Sequence, residues 1–139
     1  MGTKNFLKIV KWDAKAREHY TYDYQNVSFG KRDDWTSYAD SVLAGKQYKD
    51  DADGLAATIL DLLYKDGIPQ KALYRAAVDA VGDGKINHFV GLVYEGHKWL
   101  TVGDLYYPCY PYSQMKHSLC KVCSWGSTEW LTDLPTHIP

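Results

Sequence analysis

The chain has 139 residues, 45% hydrophobic and 24% charged, with a formal net charge of -1. That length suits one domain spanning 1–139 that buries a core without metal or disulfide, and the near-zero charge offers no basic field for nucleic acid. No apolar run reaches membrane-span length, and the opening Met-Gly-Thr-Lys-Asn-Phe lacks the apolar core of a secretory leader, so a cytoplasmic location with no membrane partner is expected.

Phe6, Ile9, Val10 and Ala14 recur near helical spacing and predict a helix over 4–18. Tyr20 to Val27 alternates aromatic and polar residues and reads as extended, with a loop at Gly30. Asp33 or Asp34 is placed to cap a short helix over 35–44, closed by Gly45. A longer helix is expected from Asp51 to Lys65, capped by Asp50 or Asp51. Its apolar face is Leu55, Ala56, Ile59, Leu62 and Leu63. Gly67 ends it and Pro69 prevents its resumption.

The period then changes from helical to alternating. Strands are predicted over 72–80, 86–94 and 98–104, joined by turns at Gly82-Asp83-Gly84 and Gly96-His97. Helices followed by an antiparallel meander give the α+β class, helices packed on an antiparallel sheet. The last 30 residues are loop-rich, and the pattern assigns them no element. They hold Cys109, His117, Cys120 and Cys123, whose spacing is irregular for zinc although Cys120-x2-Cys123 is a valid half-site. Three reduced thiols are expected there, and no zinc. The 12 Tyr and 5 Trp build aromatic packing or line a substrate groove.

Three positions can carry chemistry. A helix N-terminus at residue 52 would favour a negative charge such as a thiolate. His88 lies on the second predicted strand and Asp104 closes the third. A tight turn joins these strands, so base and orienting acid can meet across the sheet.

The ordered set resembles the transglutaminase-like cysteine peptidases, above all their bacterial and phage branch. The matching run is Trp35, then Asp50-Asp51-Ala52-Asp53-Gly54-Leu55-Ala56, then Gly67-Ile68-Pro69. His88-Phe89-Val90-Gly91-Leu92-Val93 and Trp99-Leu100-Thr101-Val102-Gly103-Asp104 follow. The resemblance implies a papain/transglutaminase-like core. It puts the nucleophile four residues before Ala56, at Ala52, the base at His88 and the orienting acid at Asp104. A rival register would put the nucleophile at Asp51. Trp35, Asp51 and Asp53 are expected on the substrate side.

The nucleophile cysteine is absent in either register, and an alanine cannot attack an acyl carbon. Either the cysteine was replaced, which the surviving His and Asp favour, or the chain is a natural pseudoenzyme. Some relatives bind calcium through acids flanking the nucleophile. Asp51 and Asp53 flank Ala52, but Gly54 stands where those relatives carry an acid, so no metal and no cofactor are expected. The implied activity is amide hydrolysis rather than cross-linking, on a protein or peptide substrate. The alternative is a module that grips a protein or peptide without cutting it.

Overall fold

Eleven of the fourteen residues of the helix beginning at Ala52 are buried, and the other elements are arranged to cover it. The computed structural model describes residues 3–22 and 35–135. Helix α1 (Thr3–Glu18) leads to β1 (Tyr20–Tyr22), α2 (Ala39–Leu43), β2 (Tyr48–Asp50) and the central α3 (Ala52–Lys65). Strands β3 (Leu73–Asp79), β4 (His88–Glu95), β5 (Lys98–Val102), β6 (Tyr110–Pro111), β7 (Ser118–Ser124) and β8 (Trp130–Leu131) follow. β1 and β2 pair in parallel, Tyr20 opposite Tyr48. The others form one six-stranded antiparallel sheet in the order β6-β5-β4-β3-β7-β8.

The helices-on-sheet architecture is the expected α+β one, with three departures. α2 starts at Ala39, not at 35, because the Tyr38 amide donates to Thr58 Oγ1 of α3 at 2.9 Å and is held outside the helix. Asp33, Asp34, Gly30 and the predicted extension to Val27 lie outside the described residues. On α1, Ile9 and Ala16 are buried while Phe6 and Val10 are exposed, and the third inward residue is Asp13. An acid on the inner face hides the stripe from a hydrophobic count.

The third departure is β7, which comes from the unassigned tail and pairs along β3 from Asp79↔Ser118 to Tyr74↔Ser124. The three-stranded meander is thus the middle of a wider sheet. One cluster of the core (Leu55, Ile59, Leu62, Leu63, Leu73, Val93, Val102) joins α3 to the sheet. A second (Tyr74, Ala76, Val78, Val90, Leu92, Val122) packs beneath Trp99, Tyr112 and Leu134. Among the described residues, no helix is long and apolar enough to cross a membrane.

Two glycines fix how closely α3 lies on the sheet. A Cβ at Gly91 of β4 would stand 2.8 Å from Val102 Cγ2 and 3.1 Å from Leu60. Gly103, just after β5, has φ +69, and a Cβ there would stand 2.8 Å from Ala56 Cα. The obstacle at Gly103 is helix backbone, which cannot swing aside. Replacing Gly103→Ala combines left-handed strain with overpacking and should cost about 2–4 kcal/mol, read as a fall in the urea midpoint at unchanged m-value.

Candidate active site

His88 is the first residue of β4, and the hairpin before it is tightly organised. Asp79 accepts the backbone N–H groups of Val81, Gly82 and Gly84 at 3.0, 2.7 and 2.6 Å and the Asn87 side-chain amide at 3.0 Å. Burial alone would raise this carboxyl, but those donors outweigh it and hold it well below the usual carboxylate range. The Asn87 amide donates to the Val78 carbonyl at 3.1 Å. The turn therefore delivers His88 in a fixed register opposite Val78.

Asp104 lies just beyond β5 and is fully buried. Its Oδ1 is 3.1 Å from His88 Nε2 and accepts the Tyr106 N–H at 3.1 Å. Its Oδ2 accepts the Tyr110 hydroxyl at 2.7 Å and lies 2.9 Å from His117 Nε2. Burial pushes this carboxyl up, but the bonds from His88, Tyr110 and the Tyr106 amide outweigh it and keep it ionised well below the usual range. Tyr110 is pushed the other way, by its burial and then by its bond to the Asp104 carboxylate. Sequence reasoning brought His88 and Asp104 together correctly, but it missed Tyr110 and His117 as partners.

The loop carrying Asp104 is tied to α1. Asp13 is buried and accepts the Gly103 and Cys109 amides at 2.8 and 3.0 Å. Arg17 bridges Asp13 at 2.8 Å and donates to the carbonyls of Asp104 and Tyr107. This clamp was also missed. Its one sequence trace is the Asp13–Arg17 spacing of four on the predicted helix.

Ala52 is the first residue of α3 and is 8% exposed. Asp51 takes the N-cap position as expected, but its side chain makes no capping bond. Instead Asp50 Oδ1 accepts the Asp51 amide at 2.7 Å. The Asp50 carboxyl also reaches over the first turn, where a Cβ at Gly54 would stand 2.4 Å from its Oδ2. Glycine at 54 is what admits it. Asp50, Asp51 and Asp53 are all buried, with one carboxylate oxygen from each lying within 4.8 Å of the others.

Trp35, the remaining substrate-side expectation, packs edge-on against Phe89, next to His88, with ring centroids 5.2 Å apart. The Trp130 ring lies 6.3 Å from that of Trp35, and the Arg75 guanidinium is 5.6 Å from both indole rings. A groove of about 560 Å³ opens elsewhere, lined by Tyr107, Pro108, Cys109, Tyr110, Gln114 and Lys116. None of Ala52, His88 and Asp104 lines it. Tyr110, through its bond to Asp104, links it to the buried pair.

The cysteine cluster is not assembled. His117 is turned onto Asp104. Cys123 donates to the Ser127 carbonyl and receives the Arg75 guanidinium, while Cys120 faces the Ser118 carbonyl. Burial and the charge of Asp13 push the Cys109 thiol up to about 12.

No family model matches the chain, and no curated protein matches it in sequence. Solved structures do match. LapG of Legionella pneumophila superposes with a TM-score of 0.61 at 15% identity, over 86% of this chain and 65% of LapG. Its calcium-bound form gives 0.59 at 15%, over 85% and 65%. The EGTA-treated form gives 0.61 at 15%, over 86% and 63%. The fold is papain/transglutaminase-like. At this identity the likeness shows the fold alone, and the chain spans somewhat less than two thirds of LapG's length.

The acidic trio gives a test with a defined sign. Burial raises the Asp50 carboxyl and the Asp51 charge adds to this, against bonds from the Asp51 amide and Tyr38. A raised folded pKa means that Asp50 contributes most to stability below its unfolded pKa of about 3.9 and loses that contribution as pH rises through the folded value. Asp50→Asn keeps the oxygen that accepts the Asp51 amide and removes the charge. In EDTA, its Tm relative to the parent should therefore rise between pH 4 and pH 7. A flat or falling difference would contradict the assignment.

Proposed function

We propose that this domain is built for amide hydrolysis in the manner of the transglutaminase-like cysteine peptidases, with residue 52 as the nucleophile position and alanine there leaving it inactive. The observation that carries the reading is the buried His88–Asp104 pair, 3.1 Å apart, on a fold that matches LapG. Packing supports the placement of residue 52. Gly103 rests on Ala56, one helical turn beyond Ala52, and Gly103 immediately precedes Asp104.

With a cysteine at 52, the helix N-terminus and an imidazolium would both favour the thiolate. Asp104 holds His88 Nε2, which leaves Nδ1 as the nitrogen for the thiol proton. The thiolate attacks the amide carbonyl and His88 returns the proton to the leaving amine. Water then hydrolyses the thioester with His88 as base. The positive end of the α3 dipole would help to stabilise the oxyanion. A protein or peptide substrate is consistent with the aromatic groove at Tyr107 and Tyr110, and a chain keeping Ala52 would hold such a ligand without cutting it.

The test is Ala52→Cys labelled with iodoacetamide at about pH 6, where an unperturbed thiol is almost wholly protonated. It should label at least about 10-fold faster than the Ala52 parent, whose three native thiols set the background, and His88→Ala should abolish the gain. Labelling at the parental rate would leave the binding module as the reading. Asp104→Asn is the poorer probe, since an amide NH2 on either oxygen would face donors already seated there.

A specific observation also favours a calcium site at the start of α3. Sequence spacing had left an acid missing at Gly54, and the Asp50 carboxyl fills the space above that glycine. Asp50, Asp51 and Asp53 offer the hard oxygen donors that calcium takes. The ion would neutralise three crowded carboxylates beside the nucleophile position. Millimolar calcium should raise Tm by about 5 °C, reversibly with EDTA, and Asp50→Asn should lose most of that rise.

A further inference from the structure

Asp104 is shared by two imidazoles, and a Cys–His–Asp apparatus uses only one. His117 has a side chain 5% exposed, against 3% for His88 and 0% for Asp104. Its ring meets that of His88 edge-on at 5.2 Å and packs against Tyr106 and Tyr107. A buried histidine turned onto an already well-bonded carboxylate has a chemistry of its own.

We infer that His88, Asp104 and His117 form a site for a divalent transition metal of the zinc class, and that occupancy switches the His88–Asp104 pair off. One ligand atom from each residue lies within 4.8 Å of the others. Zinc bonds of about 2.0–2.1 Å at tetrahedral angles put neighbouring ligand atoms about 3.3 Å apart. The Nε2–carboxylate separations are 3.1 Å for His88, to Oδ1, and 2.9 Å for His117, to Oδ2, so both rings already face the one carboxylate and need only turn toward a shared point to bind a single ion. Two imidazoles and a carboxylate suit zinc and leave its fourth position to water. The Tyr110 hydroxyl on Oδ2 is the kind of outer partner that orients a ligating carboxylate.

The consequence for catalysis rests on the peptidase reading, whereas the metal site does not. A metal takes the lone pair at Nε2, so a neutral His88 must carry its proton at Nδ1. The proton moves from one nitrogen to the other and none is lost from the ring. A ring with Nε2 metallated and Nδ1 protonated has no lone pair for a thiol proton, and Asp104 is diverted to the ion. In a chain with cysteine at 52, zinc would thereby block activation of the thiol until removed.

The binding experiment uses the Ala52 chain as it stands, titrated with zinc and cobalt(II) in millimolar calcium to occupy the aspartate trio. One equivalent should bind. The cobalt form should show visible d–d absorption without the near-ultraviolet thiolate band that a site at Cys109, Cys120 or Cys123 would give. His117→Gln keeps a donor for Asp104 but loses the imidazole, and should weaken binding at least about 10-fold with an unchanged circular dichroism spectrum. If that variant does not fold, the cobalt spectrum of the parent decides. No stoichiometric binding, a thiolate band, or equal affinity in a folded His117→Gln would each overturn the site and leave His117 as a hydrogen-bond partner of Asp104 only. In Ala52→Cys, zinc should slow labelling at pH 6, EDTA should restore it, and His117→Gln should resist it. Labelling that never depended on His88 would refute the peptidase reading while zinc binding still judged the metal site by itself.

Discussion

A carboxylate with no access to solvent must be matched donor by donor, because an ion left short of partners in a protein interior is strongly destabilising. Asp104 is such a group. Each of its oxygens has two partners, His88 and the Tyr106 amide on one, Tyr110 and His117 on the other. These come from β4, the loop after β5, β6 and the residue before β7. Satisfying one buried charge therefore fixes four stretches of chain relative to one another. The same saturation holds Asp104 rigidly against His88.

The second constraint is the clamp that keeps Asp104 in position. Asp13 and Arg17 on α1 hold Gly103, Cys109 and two carbonyls of the intervening loop. α1 thus acts as an outer brace, distant in sequence from the loop it organises. Gly103 then rests directly on Ala56, so the brace sets the spacing between the acid's loop and the start of α3. The chain from Asp13 through Gly103 to Ala56 thus couples two contacts, α1 to the Asp104 loop and that loop to α3.

The start of α3 carries an electrostatic tension. The N-terminal dipole favours negative charge there, and Asp50, Asp51 and Asp53 use that advantage, yet they crowd one another. The Asp50 carboxyl is raised by burial and by the Asp51 charge. A thiolate at residue 52 would join the same field. The dipole and an imidazolium would favour it while three carboxylates opposed it, and a hard cation bound to the trio would remove that opposition.

Local features of the sequence determined the helices, the central hairpins and the pairing of His88 with Asp104. Gly67 and Pro69 stop α3 where expected. The Gly96-His97 turn, both residues with positive φ, sets β4 against β5 and so brings the two site residues within reach. These signals act over short stretches of chain, and short-range spacing can read them. The tail was not legible, since Ser118–Ser124 becomes a strand by pairing with β3, some 40 residues earlier, and with β8, and its cysteines suggested metal spacing instead. Nor could spacing show that His117 leaves the cysteines for Asp104, that an inward acid on α1 braces the Asp104 loop, or that Asp50 rather than residue 54 fills the first turn of α3. Each of those is decided by a buried charge finding donors, or a side chain finding space, among residues that only the folded chain brings together.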